Sequence, residues 1–196
     1  YGALSEYGAD IPMTVVGIVM KVFQIVIAFV VGIAAGCQPI VGYNYGAGNG
    51  QRVRQIFKTM MLAEAVVGLV SMLAFQLFSV QIISLFGSES DLYNQFATYA
   101  FRIYLSTILL CCIHKSISIF LQSLGKPVQS MILSLLRDFI LCVPLILIFP
   151  MFVEPGVMGP LYSAPIADVV TLLVAGVMMA SVLKKLNQME ESHNLI

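Results

Sequence analysis

Residues 12–40 read PMTVVGIVMKVFQIVIAFVVGIAAGCQPI, and Lys21 is the only charged residue among them. A helix that crosses a bilayer needs about 20 mostly apolar residues, because the lipid interior offers no partner for an open backbone. This stretch is long enough and apolar enough to be one. Four more follow. They run from about Thr59 to Phe86, Ala97 to Leu124, Val128 to Phe152 and Gly159 to Leu183. Between them stand Gly46-Ala47-Gly48-Asn49-Gly50, Gly87-Ser88-Glu89-Ser90, Gly125-Lys126-Pro127 and Glu154-Pro155-Gly156, all rich in turn residues. The short alternating strands of a membrane β-barrel are not visible. The pattern predicts an all-α, polytopic membrane protein with five transmembrane helices.

Composition agrees. Of 196 residues, 59% are hydrophobic and 10% charged, and mean hydropathy is +0.94. Soluble domains average about 45–50% and about 25%. Such a chain cannot solvate a soluble exterior, so a soluble enzyme, a disordered chain and a nucleic-acid binder are excluded. Ten Lys and Arg balance ten Asp and Glu, so no net charge calls for a polyanionic partner. Cys37, Cys111, Cys112 and Cys142 lie in apolar runs with no C-x-x-C pair, which predicts neither a metal site nor a redox motif. No cofactor is expected. The chain opens Tyr1-Gly2-Ala3 without a basic n-region, which reads as the interior of a longer protein rather than a signal peptide.

Charge asymmetry between loops sets orientation. Arg52, Arg54 and Lys58 follow the first span, Lys126 the third, and Lys184 and Lys185 the fifth. Alternating spans put these on one side, expected to be cytoplasmic, with a cytoplasmic tail over 184–196. Glu6, Asp10, Glu89, Asp91 and Glu154 fall on the other side. The chain is thus expected to be a multi-pass protein of the cell membrane.

Charges inside spans are costly and mark candidate sites. Lys21 is deep in the first span and reads as a site residue or half of a structural pair. Arg137 and Asp138 are about 100° apart on a helix, so each is expected to need a partner from another span, unless they sit at the interface near the cytoplasmic end. His114 and Lys115 read either as packing residues or as the lining of a water-filled cavity. Asp168 has two readings. A helix restarting at Pro165 would put it in a first turn beside the dipole, whereas a helix starting near Gly159 would put it well inside the membrane as an ion-binding carboxylate. Glu64 reads as interfacial, with a functional role as the alternative. Gly32-Ile33-Ala34-Ala35-Gly36 is a small-xxx-small pattern suited to close packing. Gly42 and Gly46 are expected to permit a tight turn and packing. The glycine-rich run after Tyr45 lacks a preceding strand and a Gly-Lys-Ser/Thr, so it is not a phosphate loop.

The stretch from Gly32 through Gln38, Pro39, Gly42, Asn44, Gly46, Gly48 and Asn49, followed by Arg52-Val53, resembles the multidrug and toxic compound extrusion (MATE) family, bacterial multidrug-export subgroup. It looks like the end of the second helix of the C-terminal half with its cytoplasmic motif loop. Gln122-Ser123-Leu124-Gly125-Lys126, Ser134-Leu135-Leu136-Arg137-Asp138 and Ala164-Pro165-Ile166-Ala167-Asp168 resemble the loop after the tenth helix, the eleventh helix and the twelfth helix of that family.

The resemblance implies that residues 1–196 are most of one six-helix bundle of a twelve-helix transporter, without the N-terminal bundle and the seventh helix. It implies a secondary antiporter, not an enzyme, that exports drugs or other small organic compounds in exchange for protons or sodium. Some members carry a cation-binding acid in the tenth helix; here that span has His114 and Lys115 and no acid after Asp91. Asp168, Arg137, Lys21, His114 and Lys115 are the candidate pathway residues. A lipid-linked sugar flippase of the same superfamily and a non-catalytic membrane subunit are the alternatives. An intramembrane protease is disfavoured, since neither Asp138 nor Asp168 lies in a Gly-x-Gly-Asp string.

Overall fold

A computed structural model describes residues 10–86, 91–152 and 158–193. Helix α1 covers Asp10–Gly46, α2 Gly50–Leu77, α3 Ser79–Ser84, α4 Asp91–Tyr104, α5 Ile108–Ser123, α6 Pro127–Leu135, α7 Val143–Ile148 and α8 Gly159–His193. A π-helical segment, Leu136–Cys142, joins α6 to α7, and a 3₁₀ turn, Phe149–Met151, ends that span. Among the described residues there is no strand. Four helical stretches are long and apolar enough to cross a bilayer, and α4 with α5 makes a fifth, bent by 43°.

The five expected spans are therefore present, with differences at their ends. Helix α1 runs unbroken through Pro39 to Gly46, so Gln38, Pro39, Gly42, Asn44 and Gly46 are helical and the motif loop shrinks to 47–49. Its turn has a clear cause. Gly48 has φ 76°, which a side chain rarely tolerates, and the Asn49 side chain caps α2 by accepting from the Arg52 amide at 3.0 Å. At the other end, α8 continues through Lys184 and Lys185 to His193, so the expected tail is largely a helix. The third span breaks at 105–107, which no Pro or Gly announces.

Helix α5 is central, packing on α1, α2, α6 and α8. Two apolar cores form along its length. One gathers Val15, Val19, Val22, Val26 and Val30 of α1 with Phe75, Phe96, Phe101, Ile108 and Leu161. The other gathers Ala34, Val41, Val53, Met60, Phe120, Ala175, Val182 and Leu186. Lipid is as apolar as these side chains, so close fit and polar contacts hold such helices together. The fit is close at Gly68, where a Cβ would stand 2.9 Å from Leu109 Cδ1 and 3.0 Å from its Cα, and closer still at Gly50, where it would stand 2.6 Å from Leu186 O. Gly32, Gly36 and Gly46 meet nothing within 4 Å, and Gly42 only Ser123 O at 3.6 Å. The small-xxx-small stripe thus points away from this bundle and does not pack within it.

The three basic segments meet at one end of the bundle. Arg54 donates to the Asn187 side chain, and Gly50 lies against the Leu186 backbone. The 124–126 turn joins them through Leu124, in the same core as Val53 and Leu186.

Candidate functional site

Between the two apolar cores lies a polar layer. On α5, Ile108 belongs to one core and Ile117 to the other, and His114 falls between them. On α8, Leu161 and Ala175 bracket Asp168 in the same way. Position along each helix therefore brings Asp168 and His114 to one level.

Helix α8 passes through Pro165 without restarting, which removes the first-turn reading of Asp168. Its carboxylate is 3% exposed and is bound from three other segments. Arg137 Nε donates to Oδ1 at 2.8 Å, Thr107 Oγ1 donates to Oδ2 at 2.9 Å, and His114 Nε2 lies 3.3 Å from Oδ1. Each donor has a local structural reason to be there. Thr107 is in the break between α4 and α5, which turns its hydroxyl toward α8. Arg137 is in the π-helical segment, a winding found often at functional sites. Ser118, Ser130 and Gln122 hold that span on α5, with Ser118 Oγ and Ser130 Oγ 2.6 Å apart and Gln122 Nε2 donating to Ser130 Oγ at 2.7 Å.

Arg137 is shared. Its Nη1 donates to Asp138 Oδ1 at 2.8 Å while its Nε holds Asp168. The expectation that these sequence neighbours do not face each other fails, because a long guanidinium stem on a wider π turn reaches round. Asp138 finds no second span and is 47% exposed, whereas the Arg137 side chain is 11% exposed. Arg137 is turned inward rather than out of the bundle, since it sits against the buried carboxylate of Asp168. Phe23 of α1 completes its surroundings, with the guanidinium carbon 5.8 Å from the ring centroid.

The other expected residues separate. Lys21 is exposed on α1, and Lys115 is half-buried; among the described residues neither joins the Asp168 cluster. His114 does join it, so an acid partner unseen in local sequence replaces the water-filled cavity in explaining this histidine. Sequence reasoning missed Thr107, which no motif marks.

It also missed that Cys111 Sγ, a His114 ring nitrogen and an Asp168 oxygen lie within 4.8 Å of one another. That trio has metal-ligating donors, but the Arg137 guanidinium already occupies Asp168 and would repel a dication.

A bundle of up to five apolar spans with a buried ion pair at its centre defines a polytopic membrane protein. The MatE family model matches residues 3–148, and the chain belongs to that family. It is similar to the probable multidrug resistance protein YoeA of Bacillus subtilis (strain 168), at 27% identity over 78% of this chain and 33% of that protein. It is also similar to the multidrug export protein MepA of Staphylococcus aureus (strain MSSA476), at 24% identity over 88% of this chain and 37% of that protein. The chain thus spans about a third of the length of these relatives.

Its fold matches an outward-facing multidrug resistance MATE transporter with a TM-score of 0.84, at 20% identity, over 95% of this chain and 41% of that one. An inward-facing structure matches with a TM-score of 0.78, at 19% identity, over 87% and 39%. Members of this family are transporters and not enzymes, and these bacterial relatives place it in the membrane of the cell.

Proposed function

We propose that this chain is the larger part of the C-terminal bundle of an antiporter that exports drugs or other small organic cations and neutral compounds against an inward flow of protons. It works with an N-terminal bundle and one further helix, the portions of its relatives that it does not cover. Drug export is preferred over lipid flipping because the relatives above are named for multidrug resistance and export.

The observation that carries the coupling is the Arg137 bridge. The guanidinium holds a buried carboxylate, Asp168, through one nitrogen and a half-exposed one, Asp138, through another. Protonation of Asp168 removes the charge that retains Nε, and Arg137 keeps Asp138 as its counter-ion. The proton and Arg137 therefore compete for Asp168. A sodium ion would share the pocket with the Arg137 guanidinium and put two cations around one carboxylate, which is why the proton is the preferred coupling ion. The change is also placed to move helices, because the competing groups sit on α8, on the π segment and at the α4–α5 break. Discontinuous helices of this kind line the central sites of secondary transporters. The basic end of the bundle faces the cytoplasm in this reading.

The test is Asp168→Asn in the full-length protein, which mimics the protonated form. Ion-driven efflux should be abolished with drug binding largely retained. Efflux at the wild-type rate across pH would end the coupling role. A variant that fails to accumulate in the membrane, and is rescued by Asp168→Glu without restoring pH-dependent efflux, would make the pair purely structural.

A further inference from the structure

Glu64 contradicts its reading as an interfacial residue. It lies in α2 between Met60 of one apolar core and Phe75 of the other, at the level of the polar layer. It is 0% exposed, and among the described residues neither carboxyl oxygen has a hydrogen-bond partner of normal geometry, the Ser116 hydroxyl being the neighbouring donor. An ionised carboxylate in such a place costs several kcal/mol, so the group must bind something that neutralises it.

Its surroundings narrow the choice. Helix α5 presents Cys112 and Ser116 to it, and α1 presents Cys37. The Ser116 hydroxyl is committed to Cys112 O at 2.9 Å. Among the described residues, these two thiols are the only titratable groups that face Glu64 from α1 and α5. From α8, also packed on α2, no charged group reaches it. A hard metal cation requires several oxygen ligands, which two thiols and one engaged hydroxyl do not supply. A proton requires only the carboxyl itself.

The site is sealed on one side and approachable on the other. One turn further along α2, Gly68 brings the helix against Leu109 and Cys112, closing the seam with α5. Towards the basic end, a cleft of about 310 Å³ opens between α1 and α2. Arg52, Gln55, Thr59, Cys37, Met60 and Ala63 are among its lining residues; Glu64 itself is not, but Ala63 precedes it in α2.

We propose that Glu64 is a second proton-binding site, separate from the Asp168 cluster, loaded when α1, α2 and α5 are packed together and reached from the basic end through the α1–α2 cleft. Helix α5 then carries two ionisable neighbours on two faces. Thr107, Cys111 and His114 turn toward Asp168, and Cys112 and Ser116 toward Glu64. The site does not depend on the coupling role of Asp168.

A hydrophobic carbodiimide reacts with protonated carboxyls in apolar surroundings and not with ionised ones. The full-length protein, labelled with dicyclohexylcarbodiimide and mapped by peptide mass spectrometry, should carry label on Glu64 at neutral pH. Label on Asp168, whose oxygens are already engaged by Arg137 and Thr107, should be at least about tenfold lower. Glu64 label should fall as pH is raised into the alkaline range and be absent from Glu64→Gln. That variant should accumulate and unfold like the wild type, since Gln reproduces a neutral carboxyl. An unlabelled Glu64 at every pH in monodisperse protein overturns the proposal. So does label that sodium chloride suppresses at constant pH, which would mean a metal ion, or a Glu64→Gln variant that does not fold while Glu64→Asp does. Loss of efflux in Asp168→Asn leaves this result untouched, so the two readings fail separately.

Discussion

The Arg137–Asp168 pair predicts an asymmetric double-mutant cycle. In Arg137→Met, Asp168 keeps only Thr107 and His114 and remains 3% exposed, a buried carboxylate without its cation. Removing one member of a buried pair costs about 3–5 kcal/mol. In Asp168→Asn, Arg137 keeps Asp138, which is 47% exposed and reaches water. The charge left behind is therefore still paired, and the cost should be lower, about 1.5–3 kcal/mol, that of a lost hydrogen bond to a charged group. The double variant buries no unpaired charge, so it should be more stable than Arg137→Met alone, with a coupling of about 2 kcal/mol. The assay is reversible unfolding of the full-length protein in mixed micelles, followed by far-ultraviolet circular dichroism. Equal costs for the two single variants, or coupling below about 0.5 kcal/mol, would refute the bridge as the organising contact of the layer.

Other outcomes follow from the same structure. Gly68→Val should destabilise by about 1–3 kcal/mol or more through overpacking on Leu109, while Gly36→Ala, in open space, should be neutral or slightly stabilising, as thermal unfolding will show. Gly48→Ala forces a side chain into a left-handed turn and should cost about 1–2 kcal/mol in the same measurement. Lys21→Gln should stay within about 0.5 kcal/mol of wild type and leave efflux intact, since Lys21 stands exposed outside the cluster. In a cysteine-free background, an impermeant thiol reagent added outside intact cells should label Glu89→Cys and spare Gln51→Cys; the opposite pattern reverses the orientation.

Hydropathy alone located the five spans, because lipid offers the backbone no hydrogen bonds and any crossing segment must be a long apolar helix. The run from Gln38 to Asn49 and the Ala164–Asp168 string were enough for the family, since those residues are read in linear order. Helix ends were less legible. Pro165 offers a break, yet it lies inside a helix, while the true break at 105–107 is built from Leu, Ser and Thr. Backbone propensity is weak where packing and lipid impose the helix, so tertiary contacts chose the breaks.

The partners of the buried charges were decided only by the fold. Asp168 lies 31 residues from Arg137, 54 from His114 and 61 from Thr107. No local spacing encodes such pairings; they depend on which faces of α5, α8 and the π segment meet. Glu64 shows the same limit from the other side. Six residues past Lys58 it looks like an interfacial acid, but α2 begins at Gly50 and carries it inward, and α1 and α5 close over it. A charged side chain announces in sequence that something must compensate it, and three-dimensional packing alone determines whether that is a cation, water or a proton.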